Sequence, residues 1–465
     1  MSILTRRAFT AAGSAALLRA TAPNDRVTVG IIGSGLRAVF ECVQYPFFGN
    51  AEIVAVCDAQ ESRRSEAKQV LEKGYAEQGR AGRNIRAYRD YRELLRQPDI
   101  DAVYIATPDH WHVTQAIDAM KAKKHIHCEK PLGVSVEQDL AVLKAARDYR
   151  QVFQYGAESR STVNARQGIE LVLNGRIGKV TKVFAVAPPS ATGGAAEPAA
   201  APPAGFDYDL WLGPAPRTPF CADRCLTENP RGIFNIYDYT LGNIANWAAH
   251  PLDQVQRWAD ASGRTDSPVK YAGSGKIASG GLFDTAYRWD VRCTWSDGLE
   301  LQVIDNVSYR DCAGAPQPMD NSFDRSGATR LQNGAVFIGT EGWIIVGYEK
   351  NFASNPALLE SVIGPGERRL PVSALSSVPA GMISRYQQVA TAGHHQNWIR
   401  AIRGECAAVG DLPGAVRSNR ISLLSELVVR TGQSLSWDQR ALTITGNEEA
   451  RKRMKRPMRS PWGVS

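Results

Sequence analysis

A chain of 465 residues is too long for one compact core and predicts two domains. Its 43% hydrophobic and 22% charged residues are the proportions of an ordinary globular protein, which argues against a disordered or fibrous chain. The formal net charge is +8, but much of the excess sits in "ARKRMKRPMRSPW", residues 450–462, where a solvated end or a clamp on a neighbouring subunit is expected; the sequence carries no nucleic-acid-binding module.

The first segment, residues 1–22, pairs Arg6 and Arg7 with Phe9 and then runs through small and apolar residues to Ala20-Thr21-Ala22. This resembles a twin-arginine export signal, so the expectation is a periplasmic protein, or a cytoplasmic one if the leader is not used. No later segment offers the roughly 20 uninterrupted apolar residues that cross a bilayer, so no membrane insertion is expected. From Arg26, "RVTVGIIGSGLRAVFECV" reads as a β-branched strand, a glycine turn and a helix, which opens a βαβ unit.

Next come the strand "AEIVAVCDAQ", the charged helix "ESRRSEAKQVLEKGYAEQG", "YRDYRELLRQPDI", the strand "DAVYIATPDHWH", the helix "VTQAIDAMKAKK" and the strand "HIHCEKPL". That alternation predicts an α/β fold, a parallel sheet wound on both faces over residues 24–155. Residues 156–450 change rhythm. "VTKVFAVA", "YRWDVRCTWSDGLELQVIDNV" and "AVFIGTEGWIIVGY" predict an α+β domain with a large, open, mainly antiparallel sheet, and residues 451–465 form the basic tail. "PPSATGGAAEPAAAPPAGF" is a surface excursion within that domain, and helices return at "HHQNWIRAIRG" and "SNRISLLSELVVRTG".

Gly33, Gly35 and Ala38 form GxGxxA between a strand and a helix, with Ser34, Leu36 and Arg37 in the same loop. The glycines allow a tight turn and close backbone approach, and the helix start offers free N–H groups to a pyrophosphate. Asp58 ends the next strand, where a carboxylate accepts hydrogen bonds from ribose hydroxyls and repels a 2′-phosphate. NAD is therefore expected over NADP, although Arg63 and Arg64 lie close by. The eight cysteines lack the paired CxxC spacing that argues for zinc; Cys221 and Cys225 come nearest, and Cys57 and Cys128 read as core residues.

Seven stretches, "VGIIGSG", "DIDAVYIATPDHWH", "HIHCEKPLG", "FDYDLWLGPAP", "DYTLGNIANWAAHPLDQVQRW", "FIGTEGWIIV" and "HHQNWIRAIRGE", resemble the glucose-fructose oxidoreductase and inositol dehydrogenase family, Gfo/Idh/MocA. The resemblance implies that Glu129, Lys130 and Pro131 end a strand at the crevice between domains and that Lys130 hydrogen-bonds the reacting hydroxyl of the substrate. A lysine suits that task because partial burial and the positive nicotinamide favour its proton-accepting form. Family members carry Asp-x-x-x-His on a helix of the second domain, and the matching positions here are Asn246 and His250. Asn246 can fix a histidine tautomer but cannot stabilise an imidazolium by charge, so His250 either relies on another acid, with Asp253 or Asp238 as candidates, or is a weaker base than in relatives.

The family pattern also places Thr107, Pro108, His110 and His112 along the nicotinamide side of the crevice. Tyr237 and Tyr239 either contact a sugar or pack in the core, and His394 and His395 either reach the pocket or cap a helix. His110-x-His112 and His125-x-His127 each read as half a metal site without carboxylate or thiol partners, so no metal is expected.

Three activities follow from the resemblance. The first is an NAD(P)-dependent dehydrogenase that oxidises a hydroxyl of a sugar, cyclitol or glycoside. The second is a redox-neutral glycoside hydrolase or lyase with tightly held NAD, suited to a compartment that has no free NAD pool. The third is a binding protein that senses NAD, against which the pairing of Lys130 with His250 argues. The strand face around "FIGTEGWIIVGY" makes a homo-oligomer, a dimer or tetramer, the expected assembly.

Overall fold

The computed structural model describes residues 26–464 except 36, 39–50, 78, 81, 83, 196–198, 226–231, 319–330, 348–349 and 372–385; the leader and Leu36 lie outside the described residues. Two sheets organise the chain. The first holds β1 (Val27–Ile32), β2 (Ala51–Cys57), β3 (Arg86–Tyr88), β4 (Ala102–Ile105), β5 (His125–Cys128) and β6 (Phe153–Tyr155), in the spatial order β3-β2-β1-β4-β5-β6. Every pair is parallel. This is the doubly wound order, and it reverses at β1 and β4, the place where such sheets open a crevice at their carboxyl ends.

Side-chain alternation explains why these strands are apolar throughout. Val27, Val29 and Ile31 of β1 enter the core on one face, with Ala102 and Tyr104 of β4, while Ile32, Val103 and Ile105 enter the core on the other. Helices α1 (Glu61–Glu77), α2 (Asp109–Lys121) and α3 (Val136–Tyr149) connect the strands. The sequence reading carries the strand "DAVYIATPDHWH" too far. Pro108 sits at φ −57° immediately before α2, so His110 and His112 lie in the first helical turn and do not share a strand face.

The second sheet has nine strands: β7 (Val180–Ala187), β8 (Lys270–Ile277), β9 (Ala286–Thr294), β10 (Glu300–Asp305), β11 (Gly334–Gly339), β12 (Gly342–Gly347), β13 (Asn351–Ala353), β14 (Leu435–Asp438) and β15 (Thr443–Thr445), ordered β13-β12-β11-β7-β10-β9-β8-β14-β15. Among the described residues only β7 and β10 pair in parallel, so the sheet is mixed and mostly antiparallel. One face packs on α4 (Val163–Leu173), α5 (Ala249–Ala261) and the later part of α7 (Leu412–Thr431), through Ile169, Leu252, Val255 and Leu424.

The late chain binds the two lobes together. Trp398 of α6 (Tyr386–Ile402) completes one core face of the parallel sheet; Leu412 and Val416 of α7 complete the other, and the same helix continues into the core of the second lobe. The basic tail, expected as a solvated end or a partner clamp, is largely exposed, and several of its side chains also hold their own chain. Arg459 donates to the carbonyl of Gly213 at 2.9 Å and pairs with Asp209, and Arg456 lies 3.6 Å over the Tyr237 ring. Trp462 meets Trp111 of α2 edge-on at 4.9 Å under the Arg92 guanidinium. Residues 455–462 thus form a strap from the second lobe to the first.

Candidate active site

A cleft of about 960 Å³ opens between the lobes at the carboxyl ends of β1, β2, β4 and β5. Its nucleotide end is set by Gly33. That residue has φ +86°, and a Cβ there would stand 2.6 Å from the Thr107 nitrogen, so only glycine allows the loop to lie against β4. Asp58 ties the loop down: its two oxygens accept from the backbone N–H of Ser34 at 3.0 Å and of Gln60 at 2.9 Å. Burial pushes the Asp58 carboxyl up, opposed by Arg63 and those two N–H groups. The buried Ser34 hydroxyl has no hydrogen-bond partner among the described residues. A loop of this shape, with an unspent hydroxyl and an acid at the end of β2, fits a dinucleotide. Arg63 lines the same end of the cleft, while Arg64 donates to the Asp58 carbonyl at 2.6 Å.

Glu129 is buried where β5 ends. Arg37, just past the glycine loop, approaches it at 3.4 Å and also pairs with Glu158, while the Tyr104 hydroxyl donates to Glu129 at 2.7 Å. Burial would push the Glu129 carboxyl up, but Arg37, Tyr104 and Lys130 outweigh it and hold it below the usual range. The motif therefore works as two halves: Glu129 anchors the nucleotide loop from below, and Lys130 faces the cleft.

Lys130 donates to Asn246 Oδ1 at 2.8 Å, a bond between the lobes. Asn246 lies in the turns that precede α5, and its Nδ2 faces Asp109 Oδ2 at 3.5 Å. Asp109 also accepts from the Thr240 hydroxyl at 2.6 Å. His250, in the first turn of α5, lines the same cleft; burial holds its imidazole well below its usual pKa, and Lys130 and Arg37 add to the effect. It is therefore a neutral group at neutral pH. His112 sits with Nδ1 2.7 Å from the Pro131 carbonyl and Nε2 2.8 Å from that of Thr107, tying β4 to the turn that aims Lys130. Trp247 lines the cleft beside His250, ring centroids 6.1 Å apart, and is 46% exposed.

Other expected site residues are placed elsewhere. Asp253 is fully buried, with both oxygens held by Arg160 at 2.6 and 2.8 Å, and does not line the cleft. Asp238 and Tyr237 face a small pocket beside the strap, where Arg430 and Arg456 sandwich the Tyr237 ring at 3.5 and 3.6 Å. Tyr239 and His110 pack on Trp211, and burial pushes the His110 pKa down to about 3.

His394 bonds Ser161 and the Tyr155 carbonyl, each at 2.8 Å, and His395 packs edge-on against Tyr104 and His127 beneath the sheet. His125 Nδ1 accepts from the Val152 N–H. Among the described residues no group of three His, Cys, Asp or Glu side chains is placed to hold a metal ion. Sequence reasoning did not single out Asp109, Trp247, Trp111 or Glu158. For Asp109 the signal was present, an acid directly after proline at a helix start.

Comparison with known proteins agrees with this fold. Residues 27–157 match the model of an oxidoreductase family described as an NAD-binding Rossmann fold, and residues 191–305 match the C-terminal alpha/beta domain of that family. The alpha-N-acetylgalactosaminidase of Shewanella oneidensis is 33% identical over 152 residues, 31% of this chain and 32% of that protein. The myo-inositol 2-dehydrogenase of Thermotoga maritima is 29% identical over 151 residues, 32% of this chain and 42% of that one. The match thus spans less than half the length of these curated relatives. The crystal structure of the WlbA dehydrogenase of Bordetella pertussis, in complex with NADH and UDP-GlcNAcA, shares the fold over 89% of this chain and 99% of its own, with a TM-score of 0.57 at 15% identity. Two models of one family, together spanning just over half of the sequence and reaching into both lobes, establish that the chain belongs to the Gfo/Idh/MocA oxidoreductase family and carries its NAD-binding Rossmann domain.

Proposed function

We propose that this protein oxidises a hydroxyl of a sugar, cyclitol or glycoside, using NAD in preference to NADP. The observation that carries the reading is the Lys130–Asn246 bond, which sets an amine from one lobe against an amide from the other in the cleft that also holds the glycine loop and Asp58. Gly33, Ser34, Gly35 and Asp58 would hold the dinucleotide, and Thr107, Pro108 and His112 would line its nicotinamide end. When bound, NAD supplies the hydride acceptor. Lys130 Nζ takes the hydroxyl proton as the carbonyl forms, and the neutral His250 imidazole, which lines the same cleft, orients that hydroxyl by hydrogen bonding. Trp247 offers an exposed indole face to the C–H side of a sugar ring, and Asn243 and Asn246 offer amides to its hydroxyls.

A second reading is favoured by the likeness to the Shewanella alpha-N-acetylgalactosaminidase. Oxidation of one hydroxyl to a ketone acidifies the neighbouring C–H. Loss of that proton to a cleft base then expels the glycosidic oxygen, water adds, and the hydride taken at the start returns to the ketone, so no net oxidation occurs.

One experiment separates the two. The protein is purified without added cofactor, its bound nicotinamide is recorded, and chromogenic glycosides, free sugars and cyclitols are offered with NAD. Net NADH from a sugar or cyclitol supports the dehydrogenase; chromophore release without NADH supports the hydrolase. Bound nucleotide with neither reaction across the panel would refute both and leave an NAD-binding protein. Export and a homo-oligomer remain part of the proposal, checked by the N-terminal sequence of the periplasmic form and by light scattering.

A further inference from the structure

Asn246 raises a physical question. A primary amide has an oxygen at one end and two N–H donors at the other, and it can hold an ammonium group only with the oxygen turned toward it. Nothing within the amide decides which end faces Lys130. The decision comes from what stands at the other end.

We propose that Asp109 fixes the Asn246 amide with its oxygen toward Lys130, and so acts as a positioning residue for that lysine while supplying the nearby negative charge that position 246 lacks. The proposal rests on the reading of Lys130 as the proton-accepting group. Three observations carry it. The Asp109 carboxylate faces the Asn246 Nδ2 at 3.5 Å, while the Oδ1 accepts from Lys130 at 2.8 Å. Asp109 is itself held in place: Thr240 of the second lobe donates to the same oxygen at 2.6 Å, and the residue opens α2, where the helix dipole favours a negative charge. Finally, Asp109 lines the cleft and is only 4% exposed, so its charge is little screened from Lys130. Consistently, Lys130 and His112 both favour the Asp109 carboxylate against the burial that pushes it up.

A weak contact at 3.5 Å is poor as a hydrogen bond but sufficient as an orienting field, because flipping the amide would turn its oxygen toward the carboxylate and its N–H groups toward the ammonium. The titratable groups around Lys130 are Glu129 on its own strand, Asp109 and His112 on α2, His250 on α5 and Arg37 after the glycine loop. Of these, Asp109 is the one in contact with the amide.

The test uses Asp109→Asn alone and together with Asn246→Asp, with Thr240→Val as a milder variant that leaves every charge in place. Three quantities are measured: the split between kcat and KM on a turned-over substrate, the pH profile of kcat, and the pH dependence of acylation at Lys130, followed by peptide mass spectrometry. In Asp109→Asn the plateau kcat is expected to fall at least tenfold with KM changed less than threefold. Loss of a neighbouring anion favours the free amine, so both the acid limb of the profile and the midpoint of Lys130 acylation should move down by about one pH unit. Asn246→Asp in the same background should restore the midpoint and most of kcat, since a carboxylate then touches Lys130 directly. Thr240→Val should move each quantity the same way, by less.

A purely structural Asp109 would lower Tm, leave the acylation midpoint in place and gain nothing from Asn246→Asp, and that pattern overturns the proposal. So does an unchanged Asp109→Asn protein. Should the wild type turn over no sugar, cyclitol or glycoside, the functional reading fails separately; the acylation midpoints still decide whether Asp109 acts on Lys130.

Discussion

Replacing Asp253 by Asn removes one charge from a pair that lies wholly inside the second lobe. Asp253 is 0% exposed and Arg160 5%, and the guanidinium grips both carboxylate oxygens at 2.6 and 2.8 Å. The variant keeps one amide oxygen for the guanidinium but no charge, and Arg160 otherwise retains the Val409 carbonyl at 2.7 Å and a longer contact to Asp411 at 3.4 Å. Breaking a buried pair from one side costs roughly 3–5 kcal/mol, and those two remaining acceptors put this case near about 3. For a domain of this size that corresponds to a fall in Tm of roughly 6–12 °C. Thermal unfolding followed by circular dichroism measures it, and turnover is assayed well below the new midpoint, where kcat should stay within about twofold of wild type. A variant that melts like the wild type yet has lost turnover with NAD still bound would return Asp253 to the catalytic group and refute the ion-pair account.

Lys130→Ala should abolish turnover while nucleotide stays bound, because the bond Lys130 makes to Asn246 faces the second lobe; isothermal titration with NAD checks the second half, and wild-type-like turnover in the variant would remove Lys130 from the chemistry. Trp247→Ala should raise KM for a ring substrate about tenfold with little change in NAD affinity, as expected for a lost stacking face, and an unchanged KM would show that the indole faces no ligand. Burial holds His127, His250 and His395 well below their usual pKa, and His394 down to about 4. The unfolded chain therefore binds more protons than the folded one below about pH 6.5, so stability should fall as pH drops through that value, by about 1.4 kcal/mol per pH unit for each such histidine. Tm measured from about pH 8 to about pH 5 tests this, and a flat profile would contradict it.

What could be read in the sequence is what depends on neighbours along the chain. The nearly continuous burial of "VTVGII", the glycine turn after it and the acid ending "AEIVAVCD" all arise from local backbone rules, and the nucleotide lobe follows from them. The Glu129-Lys130 pair was visible for the same reason, as charge at the end of a buried run. The boundary at Pro108 was harder, because "AVYIATPDHWHV" stays apolar across the change from strand to helix, and α2 is buried along nearly its whole length. The partners of these groups were not legible at all. Whether Asp253 faces His250 or Arg160 depends on where residue 160 returns in space, and the Asp109–Asn246 contact joins positions 137 apart.

The strap joins still more distant parts of the chain. Thr114 donates to the carbonyl of Trp462, 348 positions later, and Trp462 rests on Trp111, which itself lines the cleft. During synthesis the first lobe therefore leaves the ribosome before the residue that backs one of its cleft-lining indoles. A nascent chain halted before Trp462 should hold the Trp111 indole less firmly even with the whole parallel sheet already made, so one wall of the cleft is braced by chain translated long after the sheet it belongs to.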